Sequence, residues 1–227
     1  MFTGWADVPL TAGGEQEAVR AGELLRSAGE RPDTLHTSVL RRAMRTAEIV
    51  LDVLDRDWLP VNRTWRLNER QYGALAGRRK SRVRAEAGDE QYRRWRRSLY
   101  EVPPPSSEAQ IAELAADPRY AALGSGALPA AESLADVQAR ILPYWVDVLS
   151  AELRAGLVPL VVAHGNSLRA LVAYLDRLDE EQVARLDIPT GIPLRYEFDD
   201  DWEQPAGSGA YLDPEAAALA AAAVARE

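Results

Sequence analysis

Between residues 158 and 175 the chain changes its hydrophobic period. VPLVVA is a continuous apolar run of strand length, HGN interrupts it, and apolar residues then recur at 168, 171, 172 and 175. A short apolar run bounded by a turn signal predicts a buried strand, and a spacing of three and four predicts an amphipathic helix. The break therefore predicts strand, tight turn and helix, with Gly165 easing the turn and Asn166 or Ser167 capping the helix. The same patterns predict a helix over 15–28, a strand over 33–37 and a helix over 39–54 with Ser38 as its cap. They continue with a strand from residue 60, a polar helix over 80–97, and a helix over 133–153 that Pro143 must kink or interrupt. A short acidic helix over 179–186 and a strand over 194–198 close the pattern. Residues 102–107, VPPPSS, read as a surface loop, and residues 111–128 as an excursion outside the core.

Strands that alternate with helices predict an α/β fold with a mostly parallel sheet. The 227 residues suffice for one domain with a full core. We place that domain at 1–203 and a linker with an Ala-rich helical tail at 204–227.

Charge changes the picture more than composition does. The net charge is -8, yet residues 41–97 hold fifteen arginines and one lysine against eight acids. A basic centre in an acidic chain argues against general nucleic-acid affinity and for a focused site that takes a small polyanion. Arg82, Arg84, Arg93 and Arg94 read as solvated helix faces. Arg41, Arg42 and Arg45 open a helix, where cations oppose the macrodipole, so an anion bound there would explain them. Lys80 is the only lysine beside 26 arginines, which marks a position suited to a compact ammonium. With no cysteine and two histidines, a thiolate or His-rich metal site is not expected. No apolar run reaches membrane-spanning length, and a cytoplasmic protein is expected.

Two residues stand out as chemistry. His164 falls at the carboxyl end of the expected strand, beside a helix N-terminus whose free N–H groups attract anions. Glu69, between Asn68 and Arg70, is a candidate general acid or base. His36, inside an expected strand, reads as structural.

The motifs FTGW at 2–5, TSVLRR at 37–42, LNER at 67–70, YGAL at 72–75, WRR at 95–97, AHGNSLR at 163–169 and IPTGIP at 188–193 occur in one order. In this the chain resembles the cofactor-dependent phosphoglycerate mutases of the histidine phosphatase superfamily, from residue 2 to about residue 202. The resemblance implies a three-layer α/β/α sandwich. It implies interconversion of 2-phosphoglycerate and 3-phosphoglycerate in glycolysis and gluconeogenesis through a phosphohistidine, primed by 2,3-bisphosphoglycerate and without a metal. By the same resemblance His164 stabilises charge on the transferring phosphoryl group and Glu69 exchanges protons. Arg42, Arg70, Tyr72, Lys80, Arg96 and Arg97 hold phosphates and carboxylate, with Thr3, Gly4, Gly165 and Asn166 at the rim and floor. The implied partners are small phosphoglycerates, with no nucleic acid or membrane and room for a homo-oligomer.

Two departures qualify this. Gln71 stands where the family has a histidine. The family's FTGW segment follows a strand ending in Arg-His-Gly, whose histidine is the nucleophile, whereas here Met1 precedes it directly. The expectation is that this first, central strand is missing. The chain as given would then be inactive, the neighbours of that strand would keep unpaired backbone groups and a void, and a non-catalytic phosphate-binding relative is the competing reading.

Overall fold

The computed structural model describes residues 1–124, 126–199 and 209–225. Three parallel strands form its central sheet in the order β2 (Val61–Arg63), β1 (Thr34–Thr37), β3 (Pro159–Val162). Leu35 aligns with Val61 on one side and with Leu160 on the other. Side chains alternate across such strands, and the two faces accordingly meet different helices. Leu35, Leu160 and Val162 pack with Ala47 and Leu51 of α2 (Arg41–Leu54), which also rests on α1 (Ala12–Ser27). Val161 faces the opposite layer, packed from α5 (Leu134–Tyr144) and α7 (Gly165–Leu175) around Val137, Ile141, Ala170 and Leu171. The result is the expected α/β architecture with helices on both faces.

Local chemistry sets most element ends. Thr11 caps α1 by accepting from Gly14 N, and Gly22 lets α1 approach α2, since a Cβ there would lie 2.7 Å from Val53 Cβ. Helix α2 begins at Arg41, later than expected. Ser38 is not its cap; that hydroxyl lies in the site described below. Pro143, which has no N–H to donate, is followed by a π-helical turn, Trp145–Leu149, before α6 (Ser150–Arg154) resumes. The polar helix α3 (Lys80–Arg97) is broken at Gly88, whose φ is 81°.

The 102–107 segment is the surface loop expected, mostly exposed, and it is pinned on both sides by Ala74 N donating to Pro104 O and Ser106 N donating to Ala130 O. Other expectations are corrected. The 111–128 region contains part of α4 (Glu108–Ala115) and supplies core. Tyr120, 1% exposed, stacks on Trp5 with 5.0 Å between ring centroids. The expected strand over 194–198 is reduced to β4 (Leu194–Arg195), paired antiparallel with β5 (Ala210–Tyr211). Of the expected linker, 204–208 lie outside the described residues. From residue 210 the chain is tied to the body: Leu212 N donates to Pro193 O, Asp213 pairs with Arg20, and Ala217 of the helix Pro214–Ala225 is buried.

Strand β3 pairs with β1 along one edge. A mainly apolar cavity of about 560 Å³ adjoins β3, lined by Leu160, Leu171, Leu175 and Ile192 together with Arg42, Glu69 and His164. Among the described residues no helix is long and apolar enough to cross a membrane.

Candidate active site

His164 closes β3 and is the N-cap of α7, with extended φ and ψ of -128° and 162°. The cap differs from the sequence expectation for a physical reason: the Asn166 side chain is committed elsewhere, and Ser167 Oγ accepts from the backbone N–H of His164 at 3.0 Å. The imidazole is 7% exposed, and its Nε2 lies 2.8 Å from Ser38 Oγ. Leu40 N donates to that same oxygen at 3.2 Å. Burial, and then the charges of Arg42 and Arg140, hold the His164 pKa well below its usual range. The ring is therefore neutral at pH 7.

Glu69 meets this helix terminus from the opposite side. Its Oε1 accepts from Asn166 Nδ2 at 3.1 Å, Asn166 N at 3.3 Å and Arg70 N at 2.7 Å. Asn166 Nδ2 also donates to Tyr72 OH at 3.0 Å, and burial raises the Tyr72 pKa. Arg42 lies close enough to feel Glu69, while its two Nη groups donate to Ala6 O and Gly4 O at 2.9 Å each. These bonds tie Arg42 to the N-terminal loop at Gly4 and Ala6. Gly4 has φ 52°, and a Cβ there would sit 3.1 Å from Gln71 Oε1, so the turn needs glycine.

A neutral imidazole, a carboxylate bonded to a helix terminus and a nearby guanidinium can bind an anion and exchange a proton. The pattern of the histidine phosphatase superfamily (branch 1) matches residues 1–204. The chain belongs to that superfamily. It is 54% identical to the 2,3-bisphosphoglycerate-dependent phosphoglycerate mutase of Thermobifida fusca (strain YX), over 99% of this chain and 91% of that one. It is also 54% identical to the protein of the same name from Mycobacterium tuberculosis (strain ATCC 25618 / H37Rv), over 99% of this chain and 90% of that one. Among solved structures it resembles a mycobacterial glucosyl-3-phosphoglycerate phosphatase, with TM-score 0.64, 23% identity, and 92% and 89% of the two chains covered. The alpha-ribazole phosphatase of Shigella flexneri matches with TM-score 0.63 and 22% identity, over 92% and 88% of the chains. At that identity the likeness is one of fold.

Not all of the expected site residues of this superfamily member converge. Arg70 is fully buried and donates to the carbonyls of Glu132, Trp95 and Glu101 at 2.6, 2.8 and 2.7 Å. Those three bonds turn its fork into the protein. Arg41 pairs with Asp7 and Arg45 with Glu15, so of the three first-turn arginines only Arg42 belongs to the site. Arg97 is paired with Asp187 at 2.6 Å, and Arg96 lies over the Tyr92 ring. Lys80 opens α3, which is tied to the site through Val83, Tyr92, Phe2 and Tyr72. Gly165 is exposed as the first residue of α7.

The sequence reading missed three groups. Ser38 reads along the chain as a helix cap, whereas its hydroxyl lies against His164. Arg169 lies one turn beyond Asn166, bonded to Asn166 Oδ1 at 3.2 Å and Val183 O at 2.8 Å. Its pKa is lowered to about 10 by burial and by Arg97, and its Nε is buried without a partner. The third is the Glu132–Arg140 pair, which no local pattern announces. His36 is structural as expected: it is fully buried and bonded to Glu152, Thr34 and Tyr144.

Proposed function

We propose that this chain carries the body of a cytoplasmic, 2,3-bisphosphoglycerate-dependent phosphoglycerate mutase that interconverts 2-phosphoglycerate and 3-phosphoglycerate. The observation that carries the reading is Glu69 bonded to Asn166 at the start of α7, with His164 and Arg42 beside it. Relatives at 54% identity that bear this name support it. The donor set also suits a polyanion, because Arg42, Asn166 and the first N–H groups of α7 converge there and Arg169 Nε is an unsatisfied buried donor.

When bound, 2,3-bisphosphoglycerate supplies the phosphoryl group that primes the enzyme. Arg42, Asn166 and Gly165 hold a phosphate at the helix terminus, and Lys80 and Arg96 draw in the second anionic group. Tyr72, Thr3 and Gly4 border it. Arg97 contributes where its pair with Asp187 opens. Neutral His164, oriented by Ser38, hydrogen-bonds the transferring oxygens without adding a proton. Glu69 takes a proton from the attacking hydroxyl and returns it to the leaving one, as general catalysis requires.

The phosphoryl carrier is the remaining part. His36 is locked in the core, and His164 is engaged by Ser38. We assign the carrier to a histidine on an Arg-His-Gly strand seated in the cavity beside β3. That cavity is mainly apolar, and its lining includes Arg42, Glu69 and His164. A strand parallel to β3 would deliver its carboxyl end there.

The test compares the 227-residue chain with the same chain preceded by such a strand, measuring phosphoglycerate interconversion and, by calorimetry, binding of 2,3-bisphosphoglycerate. Turnover is expected only in the longer protein, with binding in both that Arg42→Ala weakens at least tenfold. Full activity in the 227 residues alone would overturn the assignment of the carrier and direct attention to His164. Binding without turnover in either would favour a non-catalytic relative.

A further inference from the structure

From Asn68 to Gln71 the chain is neither helix nor strand, so its backbone polar groups must find other partners. Two buried side chains, distant in sequence, supply them. Arg140 of α5 donates to the carbonyl of Arg66, to Asn68 O at 2.8 Å and to Glu69 O at 3.0 Å. Its Nε and Nη2 also reach the two carboxylate oxygens of Glu132, at 2.6 and 3.2 Å. Glu132 Oε2 accepts from Gln71 N at 2.7 Å, and the backbone N–H of Glu132 donates to Gln71 O at 2.9 Å. One ion pair, 2% and 7% exposed, thus grips the chain on both sides of Glu69. Trp5 completes the clamp: Nε1 donates to Glu69 O at 2.6 Å, and the Arg140 guanidinium lies 5.8 Å over its ring.

We infer that Glu132 and Arg140 are positioning residues for the Glu69 carboxylate, fixing the backbone from which it reaches Asn166 and the substrate. The inference rests on the proton-transfer role given to Glu69 above. A pair kept only for stability could be exchanged for apolar residues, since buried ion pairs contribute little net stability. What an apolar pair could not do is satisfy the 66, 68 and 69 carbonyls and the 71 N–H together. A carboxylate displaced by about 1 Å loses on the order of a hundredfold in rate. Arg140 also acts through space on His164, helping to keep that ring neutral.

The variants that separate these roles are Arg140→Lys, which keeps the charge and loses the planar fork, and Glu132→Gln, which keeps an acceptor and loses the charge. Both are prepared in the strand-extended protein. Two readouts are taken: kcat and KM for phosphoglycerate, and the NMR position of the Asn166 side-chain amide, which is bonded to Glu69 Oε1 and needs no turnover. The expected result in Arg140→Lys is a tenfold to hundredfold fall in kcat, KM within about twofold, a shifted Asn166 amide, and a His164 ring that still titrates low. Glu132→Gln should shift the same amide, with a smaller loss of kcat. An unmoved Asn166 amide in both folded variants would overturn the inference, as would kcat falling only in proportion to folded protein. If the unsubstituted extended protein has no turnover, the mutase reading fails, while the amide shift still decides whether the pair positions Glu69. If Arg140→Lys does not fold, the amide in Glu132→Gln decides alone.

Discussion

Ser38 Oγ lies 2.8 Å from Nε2 of His164, across 126 positions of sequence, and both side chains are shut away from water. The serine oxygen also accepts a backbone N–H from Leu40, which holds it in place beside the ring. Ser38→Ala removes the hydroxyl and leaves a buried ring nitrogen without its partner, at a cost of about 1–3 kcal/mol. Urea unfolding should show that loss with an unchanged m-value, and in the strand-extended protein kcat should fall more than KM rises. Stability equal to the parent would mean that the ring finds another partner.

The two histidines make stability depend on pH. His164 is held low by burial, then by Arg42 and Arg140; His36 is lowered by burial against the opposing pull of Glu152. A base whose folded pKa lies below its unfolded value binds its proton more readily when unfolded. Stability is then complete above about pH 6.5 and is lost as pH falls from there toward the folded values. Unfolding free energies between pH 7.5 and 5 should decline, and the slope should flatten in Arg42→Ala as His164 recovers toward its usual range. A flat profile in the parent would contradict the burial of neutral rings.

Arg70 tests whether a motif residue is gripping substrate or protein. With its guanidinium on three carbonyls, Arg70→Met should destabilise by about 3 kcal/mol or more, one buried acceptor at a time. Affinity of the folded fraction for 2,3-bisphosphoglycerate should stay within about twofold of the parent. A tenfold weaker Kd at unchanged stability would return Arg70 to the substrate site.

Glu69→Gln retains shape and the bonds from Asn166 while removing titration. In the strand-extended protein turnover should drop by roughly 10²- to 10⁴-fold, with 2,3-bisphosphoglycerate binding intact by calorimetry. An undiminished rate would place proton transfer elsewhere.

At the α1–α2 contact, Gly22→Ala should cost about 1–3 kcal/mol, because its Cβ would sit 2.7 Å from Val53 Cβ in packed helices. Thermal unfolding reads this directly, and no change in Tm would show that the two helices separate freely.

The sequence by itself determined the elements whose causes are local. The apolar run at 159–162, the change of period after His164 and the imino nitrogen of Pro143 each act within a few residues, and each left its mark where expected. The order of motifs likewise carried the family, and the carboxyl end of β3 marked His164 as chemistry. Only the tertiary structure decided which arginine does what. Arg41, Arg42, Arg45 and Arg70 look alike along the chain, yet one faces the site, two pair with Asp7 and Glu15, and one is buried on carbonyls. Those partners lie up to 62 positions away, where no periodicity reaches. Ser38 on His164 and Arg140 on Glu69 were hidden for the same reason. A hydrogen bond is a matter of two atoms meeting within about 3 Å, and the meeting is arranged by packing the layers of the sheet and its helices.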